Sequence, residues 1–146
     1  MRTRPQVLIV EDEPDVLLIL RLNLEAAGLD TSLAADGVTA LRRIERERPD
    51  LVVLDLMLPV LDGWSVLAEL RTRAEVPPVI VCSAKRGPGD VARAEELGAV
   101  EFVTKPFDVS AIVGTITDVL IRSGWHPQGE PGPRPTPLDL EGLEPV

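Results

Sequence analysis

Four hydrophobic runs recur along the chain: Val7–Val10, Leu51–Leu54, Val79–Cys82 and Glu101–Thr104. The first three are continuous and rich in β-branched residues, with no polar alternation. Runs of this length and kind predict strands buried on both faces. Asp30–Ala34 reads as a shorter strand. The segments between them carry helical signals. Asp12-Glu13-Pro14-Asp15 places acids and an early proline in a first helical turn, and the helix runs to about Ala27, where Gly28 stops it. Asp36–Arg48 sets Val38, Leu41 and Ile44 on one face and ends before Pro49. Further helices are predicted over Gly63–Arg73, Asp90–Leu97 and Ser110–Ser123, with Gly98 closing the second of these. The strands are then 7–10, 30–34, 51–55, 78–82 and 101–104. Five strands alternating with five helices predict an α/β fold with a parallel sheet.

The pattern changes at Gly124. The stretch Gly124–Val146 holds six prolines and four glycines in 23 residues, and four acids against one arginine. It has too little apolar surface to offset the entropy of ordering it. One folded domain is expected over 5–123, followed by a disordered, acidic Pro/Gly-rich tail over 124–146. The one apolar cluster in that tail is Leu138–Leu143, a candidate docking peptide or part of a solvated tail.

Composition narrows the function. Hydrophobic residues make up 45% of the 146, enough for a single core. The formal charge of -9 argues against direct nucleic-acid binding, which needs a basic surface. Cys82 is the only cysteine, so an internal disulfide and a multi-cysteine zinc site are both ruled out. With no signal peptide and no apolar stretch long enough to cross a bilayer, the cytoplasm is the expected compartment.

The chemistry lies at the strand ends. Glu11-Asp12 follows the first run, Asp55 the second, Ser83 the third, and Lys105-Pro106 the fourth. In an open parallel sheet these carboxyl ends converge on one edge, where ligands bind. Taken singly, each residue is ordinary: acids cap helices, serines cap helices, and lysines sit on surfaces. Taken together, three acids, a hydroxyl and an ammonium describe a magnesium-dependent phosphoryl site. Magnesium prefers oxygen ligands, and Asp12 and Asp55 can supply them directly. A carboxylate nucleophile can form an acyl phosphate, and an ammonium can hold a phosphoryl oxygen as a point charge.

These residues, in this order and at these intervals, resemble the response-regulator receiver domain over residues 5–123. The resemblance implies a flavodoxin-like doubly wound sheet of strand order 2-1-3-4-5 with five helices. It implies that Asp55 is the phosphoacceptor, supported by Ser83 and Lys105. It implies Mg2+ as cofactor, bound by Asp12, Asp55 and the backbone carbonyl of Met57, with Glu11 acting through a water. Glu11 stands where many family members have aspartate. Ser83 and Phe102 match the family's switch pair, and the bond before Pro106 matches one that is cis in the family. The implied partners are a sensor histidine kinase or histidine phosphotransfer protein, which docks on the first helix in relatives, and an output protein. The last helix often forms dimers in relatives. Apolar residues beyond one stripe fit such surfaces: Leu17, Leu18 and Leu22 lie beside a core face of Val16, Ile19, Leu20 and Leu24, and the last helix is apolar on more than one side. Met57 and Lys85, two positions after Asp55 and Ser83, imply slow hydrolysis of the acyl phosphate, since neither is suited to orient a water as a base.

Other classes fit less well. A hydrolase of the large Asp-nucleophile phosphatase family has a second aspartate where Met57 stands. A flavodoxin needs a phosphate loop after the first strand, and Glu11-Asp12-Glu13-Pro14 would repel a phosphate without a metal. A receiver-like module that is never phosphorylated would not need the full residue set. The chain is expected to act as a stand-alone receiver through protein contacts, the alternative being a fragment of a larger regulator whose linker begins at Gly124.

Overall fold

The structure is a computed structural model that describes residues 3–85 and 87–127. In chain order its elements are β1 (Gln6–Val10), α1 (Pro14–Ala26), β2 (Asp30–Ala34), α2 (Gly37–Glu47), β3 (Leu51–Leu54), α3 (Gly63–Arg71), β4 (Val79–Ser83), α4 (Pro88–Glu96), β5 (Glu101–Thr104) and α5 (Val109–Arg122). All strand pairs are parallel, in the order β2-β1-β3-β4-β5. This is the doubly wound flavodoxin-like arrangement.

Strand alternation explains the two cores. Leu8, Val10, Val52, Leu54, Val79 and Val81 face one layer, with Ala40, Ile44, Val66, Leu67, Leu70 and Ala94 from α2, α3 and α4. Val7, Ile9, Leu51, Val53, Ile80 and Cys82 face the other, with Leu20 and Leu24 of α1 and Ile112, Ile116, Val119 and Leu120 of α5. Helices on both faces require strands apolar on both sides, which is why the runs show no alternation.

Helix ends follow local chemistry. Asp36, Asp62 and Asp108 cap α2, α3 and α5 by accepting from the N–H of Thr39, Ser65 and Ala111, at 2.7, 2.8 and 2.9 Å. The expected helix at Asp90 begins earlier, at Pro88. Proline is suited to a first turn because its missing N–H has no helical partner there. Asp90 instead accepts from the N–H of Gly87 at 3.3 Å. Between α3 and α4, the Arg93 guanidinium lies 4.1 Å from the centroid of the Trp64 ring.

Two expectations about packing need correction. Ile19 was assigned to the core face of α1 but is 43% exposed. Leu17, half-buried, packs on the core with Val16, Leu20 and Leu24 in its place. Trp125 was assigned to the tail, yet only 6% of its surface is exposed. Gly124 takes a positive φ of 112° and ends α5, returning the chain so that Trp125 enters the α1–α5 core. The indole N–H donates to the carbonyl of Thr3 at 3.3 Å, joining the chain after α5 to the residues before β1. Residues 128–146, including Leu138–Leu143, lie outside the described residues. No helix among the described residues is long and apolar enough to cross a membrane.

Candidate functional site

The sheet register brings the expected residues to one edge. Val10 pairs with Leu54, so Glu11 and Asp55 leave adjacent strands side by side. The backbone continues the ladder: the Asp55 N–H donates to the Val10 carbonyl at 3.0 Å. On the other side, Ser83 pairs with Thr104, and the Lys105 N–H donates to the Ser83 carbonyl at 3.0 Å. The peptide bond between Lys105 and Pro106 is cis.

At the centre stands the Asp55 carboxylate, buried with 5% exposure. Its Oδ1 accepts from the N–H of Met57 at 3.2 Å, and its Oδ2 lies 3.2 Å from Lys105 Nζ. Lys105 Nζ also lies 2.6 Å from Glu11 Oε1 and 3.2 Å from Glu13 Oε1. The other oxygen of Glu11 accepts from the N–H of Glu13 at 3.1 Å. Glu11, Asp12 and Asp55 each offer a carboxylate oxygen, and these oxygens all lie within 4.8 Å of one another. Asp12 is exposed, whereas Glu11 and Asp55 are buried. Ser83 is fully buried, and its hydroxyl accepts from the Lys85 N–H at 3.3 Å. Phe102 is half-buried against the α2–α4 core, and Met57 is exposed.

Charge explains the protonation states. Burial raises the Glu11 carboxyl above its usual range, and the Asp55 charge adds to this; hydrogen bonds from Lys105 and the Glu13 N–H oppose it. For Lys105, burial acts to lower the ammonium's pKa. The hydrogen bond to Glu11 and the charges of Asp55 and Glu11 outweigh burial, so the net shift is upward and the group stays charged. The Lys105 ammonium thus lies between two buried acids, Glu11 and Asp55, and offsets their burial. The clustered hard oxygens fit a magnesium ion, which would neutralise the same charge.

The loop after β3 holds Asp55 in place by close backbone contact. The Gly63 N–H donates to the Leu56 carbonyl at 2.9 Å. A Cβ on Gly63 would lie 2.3 Å from the Asp55 carbonyl oxygen and 2.6 Å from the Leu56 Cα, so only glycine fits. Val60, in the same loop, has a φ of 69° and is 83% exposed. A β-branched residue is strained in that region.

The role of Glu13 is invisible to sequence reasoning, which treats it as part of a helix start. The available clue is a third acid directly after Glu11-Asp12. Beside the site, Glu13, Val16, Ile19, Lys105, Pro106 and Phe107 bound a shallow cleft of about 440 Å3.

This fold and site define a doubly wound α/β domain with a cluster of three acids at the carboxyl edge of its sheet. The family model for the response regulator receiver domain matches residues 7–117. The chain belongs to that family. It is 44% identical over 117 residues to the transcriptional activator protein IrlR of Burkholderia pseudomallei, covering 80% of this chain and 51% of that protein. It is 40% identical over 118 residues to the alkaline phosphatase synthesis transcriptional regulatory protein PhoP of Bacillus subtilis, covering 81% and 49%. The chain thus spans about half the length of the curated relatives it matches. Among solved structures, the receiver domain of the Francisella response regulator 1452 superposes with a TM-score of 0.79 at 31% identity, covering 82% of this chain and 99% of that one.

Proposed function

We propose that this chain accepts a phosphoryl group on Asp55 from a phosphohistidine of a sensor kinase or phosphotransfer protein. The observation that carries this reading is the buried Asp55 carboxylate, which lies 3.2 Å from the Lys105 ammonium and shares a cluster with Glu11 and Asp12. One Asp55 oxygen attacks phosphorus as the bond to the donor nitrogen breaks, giving an acyl phosphate and a neutral imidazole once that nitrogen has its proton. Asp12, Asp55 and the Met57 carbonyl would hold Mg2+, with Glu11 acting through a water. The ion would supply charge stabilisation for the transferring group. Lys105 neutralises a phosphoryl oxygen, Ser83 binds another through its hydroxyl, and the Met57 N–H orients the nucleophile. Attack by water on phosphorus returns the carboxylate and releases phosphate, slowly, because Met57 and Lys85 offer no base.

The cleft at Ile19 and Phe107 is suited to an apolar partner helix that presents the histidine, and exposed Leu18 and Leu22 lie on the same helix. Phosphorylation is read out when Ser83 engages the phosphoryl group and Phe102 turns inward, changing the α4–β5–α5 surface. We take residues 5–123, with the Trp125 contact, as the receiver unit and the rest of 124–146 as a tail. The output is protein contact, including a homodimer through α5, in the cytoplasm, without direct nucleic-acid contact. A second reading follows from the half-length match to transcriptional regulators: the receiver controls an output segment that these residues do not include. Incubation with acetyl phosphate and magnesium tests the main reading. One added phosphate, lost in Asp55→Asn, is expected; equal labelling of the variant would exclude Asp55.

A further inference from the structure

We propose that Glu13 is a positioning residue: it cages the Lys105 ammonium before phosphorylation and so slows transfer to Asp55. The inference rests on the reading of Asp55 as acceptor. An ammonium has three N–H donors and no acceptor. Three carboxylates surround this one, at 2.6 Å (Glu11), 3.2 Å (Glu13) and 3.2 Å (Asp55). To bond a phosphoryl oxygen, Lys105 must exchange one of them.

Burial decides which one leaves. The side chains of Glu11 and Asp55 are 3% and 6% exposed, and each is pinned by a second hydrogen bond, from the N–H of Glu13 and of Met57 respectively. Glu13 is 62% exposed and returns to water at little cost. Its carboxylate is also not engaged in the helix it begins. Glu13 is the N-cap of α1, with extended backbone, and makes no side-chain capping bond. Pro14 follows it at the start of the helix. The carboxylate is therefore directed across the site, to a residue 92 positions away. A contact made in the ground state and lost in the transition state raises the barrier. Most exposed ion pairs matter little. This one differs because its cation is 12% exposed and belongs to the reacting cluster.

Two measurements test the proposal, on Glu13→Gln and on Glu13→Asp, whose shorter side chain keeps the charge but loses the reach. The first uses metal-free protein and an amine-acylating reagent. The chain has two lysines, so exposed Lys85 is the internal reference for Lys105. Both variants are expected to raise the Lys105-to-Lys85 labelling ratio about 1.5- to 5-fold, the range an ion pair of this exposure is worth. The second follows phosphorylation by acetyl phosphate at saturating magnesium. The limiting rate is expected to rise about 2- to 5-fold in both variants, with the half-saturating donor concentration unchanged. Added salt should accelerate the wild type but not Glu13→Gln. An unchanged labelling ratio overturns the proposal. So does a limiting rate at or below that of the wild type. A change confined to half-saturation also overturns it, because that would show simple repulsion of the donor by the Glu13 charge. If no protein is phosphorylated, the reading of Asp55 fails and the brake fails with it; the labelling ratio still reports separately whether Glu13 cages Lys105.

Discussion

Replacing Gly63 by alanine perturbs the backbone of the proposed acceptor Asp55 without touching any charged group. The added Cβ would meet the Asp55 carbonyl oxygen at 2.3 Å and the Leu56 Cα at 2.6 Å. Non-bonded heavy atoms are comfortable near 3.5 Å, so the two backbones must part by roughly 1 Å. Both partners are main chain, which cannot yield by a rotamer change. Overpacking costs about 1–3 kcal/mol, and backbone against backbone belongs at the upper end. Stretching the 2.9 Å bond from the Gly63 N–H to Leu56 removes about 1 kcal/mol more. Alanine returns up to about 1 kcal/mol as the better helix former. The net expectation is a loss of about 3 kcal/mol, or roughly 10 °C in melting temperature. Because the displaced backbone carries Asp55, phosphorylation should also slow by about 10²-fold. Gly114 of α5 is the control: a Cβ there meets nothing within 4 Å, so Gly114→Ala should gain about 0.5–1 kcal/mol. Urea unfolding followed by far-UV circular dichroism measures both. If Gly63→Ala were as stable as Gly114→Ala, the close approach of α3 to the Asp55 loop would be wrong.

Other outcomes follow from single residues. Val60→Gly should stabilise the fold by about 0.5–1 kcal/mol in the same assay, because the relief of a left-handed β-branched residue exceeds the entropy that glycine adds to the unfolded chain; a loss would contradict the strain. Trp125→Ala should cost about 3–5 kcal/mol, and truncation before Gly124 should cost as much, whereas truncation after Pro127 spares that contact. Equal melting temperatures for the two truncations would contradict the packing of Trp125. Burial first, and then the neighbouring Glu11 and Asp55 charges, push the Cys82 thiol up to about 12 against the opposing pull of Lys105. At pH 8 its thiolate fraction is therefore on the order of 10⁻⁴, and a disulfide reagent should label it only when the protein is unfolded. Rapid labelling of the native protein would contradict that burial.

Much of the fold was legible because the central strands β1, β3 and β4 are buried on both faces and end in unlike polar groups. The strand-end position of Asp55 was readable for that reason, whereas Lys105 follows the edge strand β5 and stood out by its place after a hydrophobic run and before Pro106. Strand order was not in the periodicity; every parallel order shows the same runs, and the family resemblance supplied it. Ile19 was misplaced because α1 is apolar on several sides, so a helical stripe has no unique centre. Trp125 was assigned to the tail because it stands alone among prolines and glycines, and only the turn at Gly124 brings it inward. Neither the reach of Glu13 to Lys105 nor the Gly63 approach leaves a periodic trace. The first arises where segments 92 positions apart meet at the sheet edge, and the second where the loop after β3 folds back on itself.

As the proposed acceptor, Asp55 forms an acyl phosphate. Borohydride reduces an aspartyl phosphate to homoserine, which peptide mass spectrometry locates directly. After treatment with acetyl phosphate and magnesium, reduction should convert residue 55 and no other carboxylate, and omitting donor or magnesium should abolish the product. Homoserine at Asp12 or elsewhere, or none in a protein that carries added phosphate, would contradict it.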